Sequence, residues 1–503
     1  MDPINGLDAR ALDRARVSRD ARFDGRFFIA VTSTGIYCRP VCPVRSPKRA
    51  HVRYYPTAAA AAEAGYRPCL RCRPEAAPGT PAWLGTSALV RRALRLIDDG
   101  CLDGESVESL AARVGIGTRH LDRLFVAHVG ATPVAVAQTR RLHFAKRLLD
   151  ETALPITDIA LAAGFGSVRR FNDVFRGTYG RPPRELRRLR SAATADAGEI
   201  VLRMSYRPPY DWAHVREFLA ARALPGVERV DADGYTRTVA LGGRHAVVRI
   251  APVVGAHALE LRVRGAFPGD LFQLASAARR MFDLGADPLR IAASLRRDPL
   301  LGPLVRQRPG LRIPGVWDPF ECTVRAIVGQ QVSVAGGRTL AARLVARAGR
   351  SAAGCGHGLS HLFPTPADLA AADLDGIGLT SARIATLRAL ARAAADDLDF
   401  SSGADEVMAA LLRLSGVGDW TAQYVALRAF GEPDAFPAAD LVLRQMAASN
   451  GVPVTPRELA RRAEAWRPWR AYATMHLWRA AGASRPSRTR AAAGVFNRTG
   501  LRR

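Results

Sequence analysis

LSGVGDWTAQY (414–424) and the stretch after it, FPAADLVLRQM (436–446), decide how the back half of this chain is built. A hydrophobic residue, then Gly416-Val417-Gly418, then an amphipathic run reads as two helices joined by a tight hairpin. The glycines let backbone N–H groups approach a phosphate, at the start of a helix whose dipole favours anions. Gly416 and Gly418 are therefore candidate DNA-contacting positions, although any close helix–helix loop could carry the same turn. Asp440 stands just before an apolar run that opens at Leu441, which is the pattern of a helix N-cap. Capping and catalysis are compatible. A fixed carboxylate can face the positive charge that develops on a sugar as a glycosidic bond breaks, or orient the attacking water.

The chain around this segment is long and basic. Its 503 residues predict three or four domains, and 48% hydrophobic residues let each bury a core. A net charge of +27 and a pI near 11.1 point to a polyanion partner, most often nucleic acid. Arginine is used almost to the exclusion of lysine, since only Lys48 and Lys146 exist. Codon bias explains that choice but not the excess of positive charge. The start, MDPINGLDARALDRARVSRDARFDG, is charged throughout and lacks an apolar signal core, and no stretch has the apolar length of a membrane span. The expected setting is cytoplasmic and nucleoid-associated, with no membrane partner.

Composition divides the chain. Residues 1–78 carry a cysteine cluster, and EAAPGTPAWLG (75–85) reads as a linker. Residues 86–190 are helical with glycine-marked turns, and SAATADAG (191–198) is a second linker. Residues 199–308 alternate like strands around a turn at Gly242-Gly243, and 309–482 are helical again. The tail, 483–503, is basic and expected to be disordered. Within the second segment, SLAARVGIGTRHLDRLF (109–125) echoes IALAAGFGSVRRFNDVF (159–175). Each copy reads as helix, glycine turn, helix, with second helices opening near Thr118 and Ser167. Arg119 and Arg123, with His120, project from one copy, and Arg169 and Arg170, with Asn172, from the other. A plain helical domain with a solvated charged face would show the same pattern.

Four of the seven cysteines lie close together, as Cys38-x3-Cys42 and Cys69-x2-Cys72. Two close pairs separated by a loop can converge on Zn²⁺ as a tetrahedron of thiolates, and a purely structural metal is the plainest reading. Arg39, Arg45, Arg67, Arg71 and Arg73 crowd these cysteines. A zinc-bound thiolate stays deprotonated and nucleophilic at neutral pH. Alkylating it removes one negative charge, and so weakens repulsion between the cluster and DNA phosphates.

TSTGIYCRPVCPVR (32–45) with GYRPCLRC (65–72) resembles the N-terminal domain of the Ada adaptive-response family. The resemblance implies that Cys38 accepts a methyl group from methylphosphotriesters, with Cys42, Cys69 and Cys72 as its fellow zinc ligands. It also implies that Thr34, Arg45 and Arg67 contact DNA. Pro43 stands where that family often has a basic residue. The helical repeat, closed by GRPPRELRRLR (180–190), resembles the AraC-type DNA-binding domain, which implies promoter binding and RNA polymerase as a partner.

YRPPYDWAHVREFLAARAL (206–224), FECTVRAIVGQQVSVAGGRTLAARL (320–344), the hairpin with Asp440, and WRPWRAYATMHLW (466–478) together resemble AlkA-type DNA glycosylases. The resemblance places the catalytic aspartate at Asp440 and an aromatic base pocket at Phe218, Trp420, Tyr424 and Trp478. Core packing is the usual fate of such aromatics, though an electron-rich pocket also suits a cationic alkylated base. The family's intercalating leucine falls on Gln331. The back half has no lysine for a Schiff base, so a monofunctional enzyme using water is expected, and Cys322 and Cys355 are too few for an iron–sulfur cluster. No PCHR-type motif is present, so a methylguanine-repair domain is expected to be absent.

The expected fold class is multidomain α+β: a small four-cysteine zinc α/β module, an all-α AraC-type double helix-turn-helix, a small α+β sheet domain and an all-α helix-hairpin-helix glycosylase domain. The expected function joins excision of alkylated bases such as 3-methyladenine to methyl acceptance at Cys38 and transcriptional regulation, with double-stranded DNA as partner. Two rivals remain at this stage. One is a regulator whose back half binds damaged bases without catalysis, and the other is a glycosylase whose front half only tethers it to DNA.

Overall fold

The computed structural model describes residues 4–79, 88–187, 198–352, 354–448 and 451–484. Most of the SAATADAG linker, the last residues of GRPPRELRRLR and the tail beyond Ser484 lie outside these. Among the described residues, no helix is long and apolar enough to cross a membrane.

The front module is a four-stranded sheet of order β3-β1-β2-β4, built from β1 (Phe28–Val31), β2 (Ile36–Cys38), β3 (Val52–Tyr55) and β4 (Arg67–Pro68). Strand β2 returns antiparallel to β1, so Cys38 ends it opposite Ile29. Strand β4 runs parallel to β2 with Pro68 beside Tyr37, which delivers Cys69 to the end of the sheet where Cys38 already stands. Behind the sheet, the alanine-rich Ala58–Glu63 helix is capped by the Thr57 side chain and packs Ala58 and Ala61 against Phe28, Ala30 and Tyr37.

The repeat forms two helix pairs, Val107–Val114 with Thr118–Val129 and Ile156–Ala162 with Val168–Tyr179. Ser106 and Ser167 cap helices in the two copies, each accepting from the backbone N–H three residues on. Gly115 (φ +84°) and Gly164 (φ +82°) make the equivalent turns in left-handed geometry, which glycine adopts without a Cβ penalty. The Pro133–Glu151 helix joins the copies.

The second sheet is antiparallel throughout, of order β5-β9-β8-β7-β6. Its strands are β5 (Glu199–Ser205), β6 (Glu228–Val230), β7 (Tyr235–Leu241), β8 (Arg244–Pro252) and β9 (Ala258–Arg264). Gly242 and Gly243 connect β7 to β8 with φ of +50° and +85°, the two positive values that a two-residue hairpin turn requires.

This sheet does not keep its core to itself. Leu142, Phe144 and Leu148 of the Pro133–Glu151 helix, with Phe171 and Phe175 of the following unit, share one apolar cluster with Leu202, Val248 and Leu261 of the sheet. Phe144 meets Phe272 edge-on at 5.0 Å. The composition break at 191–198 is therefore not a break in packing, because the joining helix is apolar on faces toward both neighbours. Helices from Pro319 to Ser484 pack around two further apolar clusters, which also take in Leu224 and Val227 and, from the helices before them, Ile291, Leu295 and Leu301.

Candidate active site and zinc cluster

Gly416 sits in the hairpin with φ +87°, and a Cβ added there would lie 2.2 Å from Thr386 Oγ1. The Thr386 hydroxyl donates to Ser415 O at 3.0 Å and so straps the hairpin to the Ser381–Asp396 helix. The hairpin opens the Asp419–Ala429 helix, which carries Trp420 and Tyr424 one turn apart. Their rings stack at 5.3 Å and 18°. Trp478, on the Arg470–Ser484 helix, tilts against Tyr424 at 6.1 Å.

Asp440 caps the Leu441–Met446 helix, with Oδ1 accepting from Leu443 N at 3.0 Å. Its carboxylate also accepts from both indoles, from Trp420 Nε1 at 2.9 Å on Oδ2 and from Trp478 Nε1 at 3.1 Å on Oδ1. The structure thus brings Asp440, Trp420, Tyr424 and Trp478 into one half-exposed constellation.

Phe218 stands apart from these three rings. It is buried and flanked by two guanidiniums, with Arg222 at 3.7 Å and Arg428 at 4.6 Å from its ring centre. Arg428 in turn donates to the Tyr424 hydroxyl at 2.6 Å and to Gly315 O at 3.0 Å. Burial lowers the Arg222 pKa, and neighbouring Arg428 lowers it further. Arg222 and Arg428 were missed from the sequence, where single arginines in so arginine-rich a chain carry no signal. The only available hint was that Arg428 lies one helical turn after Tyr424.

Gln331 is exposed at the turn between the Pro319–Val328 and Val334–Ala348 helices, in left-handed geometry (φ +56°). Its neighbour Gln330 ties this turn to the hairpin, donating from Nε2 to Gly416 O at 3.0 Å and to Thr421 Oγ1 at 3.1 Å. Arg383 donates to Gln330 O. Gln331, Gly416 and Gly418 are therefore exposed close together. Sequence reading singled out Gln331 and passed over the brace beside it.

In the front module the four cysteine sulfurs lie within 4.8 Å of one another, and all four residues are buried. Tetrahedral Zn–S bonds of about 2.3 Å need sulfurs about 3.8 Å apart, so the donor set fits one zinc ion. Thiolates this close repel, and contacts with the three other sulfurs raise the Cys72 pKa. A dication among them is the group that lets all four ionise. The Arg39 backbone N–H donates to Cys72 Sγ at 3.3 Å, while its guanidinium holds Asp24 and Cys72 O. Arg39 is thus consumed as a brace. A cavity of about 490 Å³ opens over the cysteines, lined by Thr34, Arg45 and Arg67 and walled on one side by Tyr179 of the second helix-turn-helix unit. Thr34, Arg45 and Arg67 are exposed, as are Arg119, Arg123, Arg169 and Arg170 on the second helices of the repeat.

A helix-hairpin-helix site with an indole-held aspartate, joined to a thiolate cluster and a paired helix-turn-helix, defines a DNA-repair glycosylase carrying its own DNA-binding regulator. Family models agree segment by segment. They are the metal binding domain of Ada (11–75), a helix-turn-helix domain (110–189), the AlkA N-terminal domain (201–318) and the HhH-GPD superfamily of base excision DNA repair proteins (324–471). A Mycobacterium tuberculosis relative, named "Probable bifunctional transcriptional activator/DNA repair enzyme AlkA", is 45% identical over 92% of this chain and 95% of its own length. Escherichia coli DNA-3-methyladenine glycosylase 2 is 36% identical over 55% of this chain and 95% of its own. The Bacillus subtilis bifunctional transcriptional activator/DNA repair enzyme AdaA is 34% identical over 35% of this chain and 81% of its own. The chain belongs to the family of bifunctional transcriptional activator/DNA repair enzymes. It is an Ada-type methyl acceptor and regulator fused to an AlkA-type DNA glycosylase, and it binds zinc.

Proposed function

We propose that Asp440 is the catalytic carboxylate of a monofunctional glycosylase that releases alkylated bases of the 3-methyladenine type with water as nucleophile. One observation carries this reading. Asp440 is fixed in an aromatic constellation that includes Trp420 of the hairpin helix, where a nucleotide turned out of the duplex would meet it. Trp420, Tyr424 and Trp478 stack on the base, Phe218 supports them from behind through Arg428, and Gln331 enters the gap left in the duplex. The hairpin amides around Gly416 and Gly418 hold the backbone phosphate.

In the front half, Cys38, Cys42, Cys69 and Cys72 would hold the zinc ion, whose charge would keep the Cys38 thiolate ionised at neutral pH. The Cys38 sulfur attacks the methyl carbon of a phosphotriester, an S–C bond forms as the C–O bond breaks, and the phosphodiester leaves as an anion. Thr34, Arg45 and Arg67 grip the backbone around it. Arg119, Arg123, Arg169 and Arg170 contact promoter DNA, and RNA polymerase is the partner recruited there, in the cytoplasm at the nucleoid. The working units are residues 1–78, 86–190, 199–308 and 309–482.

The test is base release from methylated duplex, scored as alkali-labile sites, alongside methyl transfer to protein. Asp440→Asn abolishes release and leaves methyl uptake intact, whereas Cys38→Ala does the reverse. Full release by Asp440→Asn would overturn the catalytic assignment, and no release by the wild type would favour a non-catalytic back half.

A further inference from the structure

The carboxylate of Asp440 is held from three separate elements. Its own helix supplies Leu443 N, the hairpin helix supplies Trp420 Nε1 and the Arg470–Ser484 helix supplies Trp478 Nε1. An ionised carboxylate offers about four acceptor positions. Among the described residues three are filled by N–H donors shared between the two oxygens, which fixes the plane of the carboxylate and leaves one acceptor direction for a ligand. A buried indole N–H usually finds some partner, but here two indoles from different helices converge on the same carboxylate. Both turn a polar edge to Asp440, while Trp420 stacks its face on Tyr424 and Trp478 tilts against the same ring. Trp420 is also the second residue after Gly418, so its place is set by the hairpin proposed to hold the phosphate.

We infer that Trp420 and Trp478 are positioning residues for base excision, acting through their indole N–H groups on Asp440 separately from any stacking on the base. This rests on Asp440 being the catalytic carboxylate. The two donors aim the remaining acceptor direction at the cationic sugar of the transition state. Because Trp420 follows the hairpin, seating of the phosphate and aim of the carboxylate are set by one rigid segment.

The test uses the full chain with Trp420→Phe and Trp478→Phe, which keep an aromatic face and lose the N–H. Should either substitution lower the melting temperature, benzothienylalanine at that position keeps the two-ring shape without the donor. Single-turnover base release is measured with binding to two duplexes, one carrying a cationic pyrrolidine abasic nucleotide and one its neutral tetrahydrofuran counterpart. Loss of a hydrogen bond to a charged group predicts a fall in rate of roughly 10- to 100-fold per substitution. Affinity for methylated duplex is retained, and the preference for the cationic probe over the neutral one is lost. Wild-type rate and wild-type cation preference in both variants, with Asp440→Asn inactive, would overturn the inference and leave the catalytic reading standing. Equal loss of affinity for both probes would also overturn it, by showing a stacking role alone. Activity retained by Asp440→Asn would remove the reading on which the inference is built.

Discussion

Lys146, one of two lysines in the chain, is buried at the seam between the zinc module and the Pro133–Glu151 helix. Its ammonium donates to both oxygens of Asp150 at 2.6 Å, and Asp150 also takes Arg73 Nε at 2.9 Å. Arg73 directly follows the ligand-position cysteine Cys72 and reaches Glu75 at 3.2 Å and Glu151 at 3.6 Å. At an effective dielectric near 20, the Lys146–Asp150 attraction is about 6 kcal/mol before desolvation. Much of that is cancelled by burying the charges, but removing Asp150 leaves Lys146 buried with the longer Glu75 contact at 3.9 Å, at a cost of about 3–5 kcal/mol. Asp150→Leu should therefore loosen the joining helix by that amount. Lys146→Met with Asp150→Leu should recover most of it, since Arg73 keeps two carboxylates. A chain of this size does not unfold in two states, so the readout is amide hydrogen exchange across 133–151. A loss of about 4 kcal/mol lowers protection roughly 1000-fold. Equal protection in the single and double variants, or a single-variant loss below about 1 kcal/mol, would refute the argument.

Burial pushes His214 and His476 down to about 4, among the charges of Asp211, Arg308 and Arg479. The unfolded chain gains these protons below about 6.5 and the folded chain only near 4, so stability is complete above about 6.5 and falls between the two. About 2 kcal/mol per histidine should be gone at pH 5, and replacing both by Gln should flatten melting temperature against pH. Gly416→Ala should weaken duplex binding on the order of tenfold and lower the melting temperature, because its Cβ would strike Thr386 Oγ1. Chelating zinc should unfold the front module and end methyl uptake while base release persists, measured on the same sample.

Much of both sites could be read from residues alone. The cysteine spacing, the Gly242-Gly243 turn and the capping role of Asp440 are local patterns, each set within a few residues. What escaped reading depends on distant contacts. Arg207 and Arg312 are fully buried, with Arg207 donating to Gly285 O at 2.9 Å and Arg312 to Arg207 O at 2.7 Å, yet in sequence they look like any surface arginine. The Arg237–Glu321 ion pair at 2.7 Å joins β7 to a helix far along the chain, a pairing no periodicity reveals. The two indole bonds to Asp440 likewise depend on three helices meeting. Spacing fixed the residue types, and packing fixed which edge of each ring faces the carboxylate.

The apolar cluster shared by the Pro133–Glu151 helix and the second sheet bears on how such a chain can change over time. A gene split within 191–198 would look harmless by composition. It would uncover Phe144 on one product and its partner Phe272 on the other, and would cut the cluster that Leu142 and Leu148 share with Leu202. Two sticky fragments would result, rather than a free regulator and a free enzyme. Separating sensing from excision in this chain would therefore also require polar replacements along the apolar faces of the Pro133–Glu151 helix.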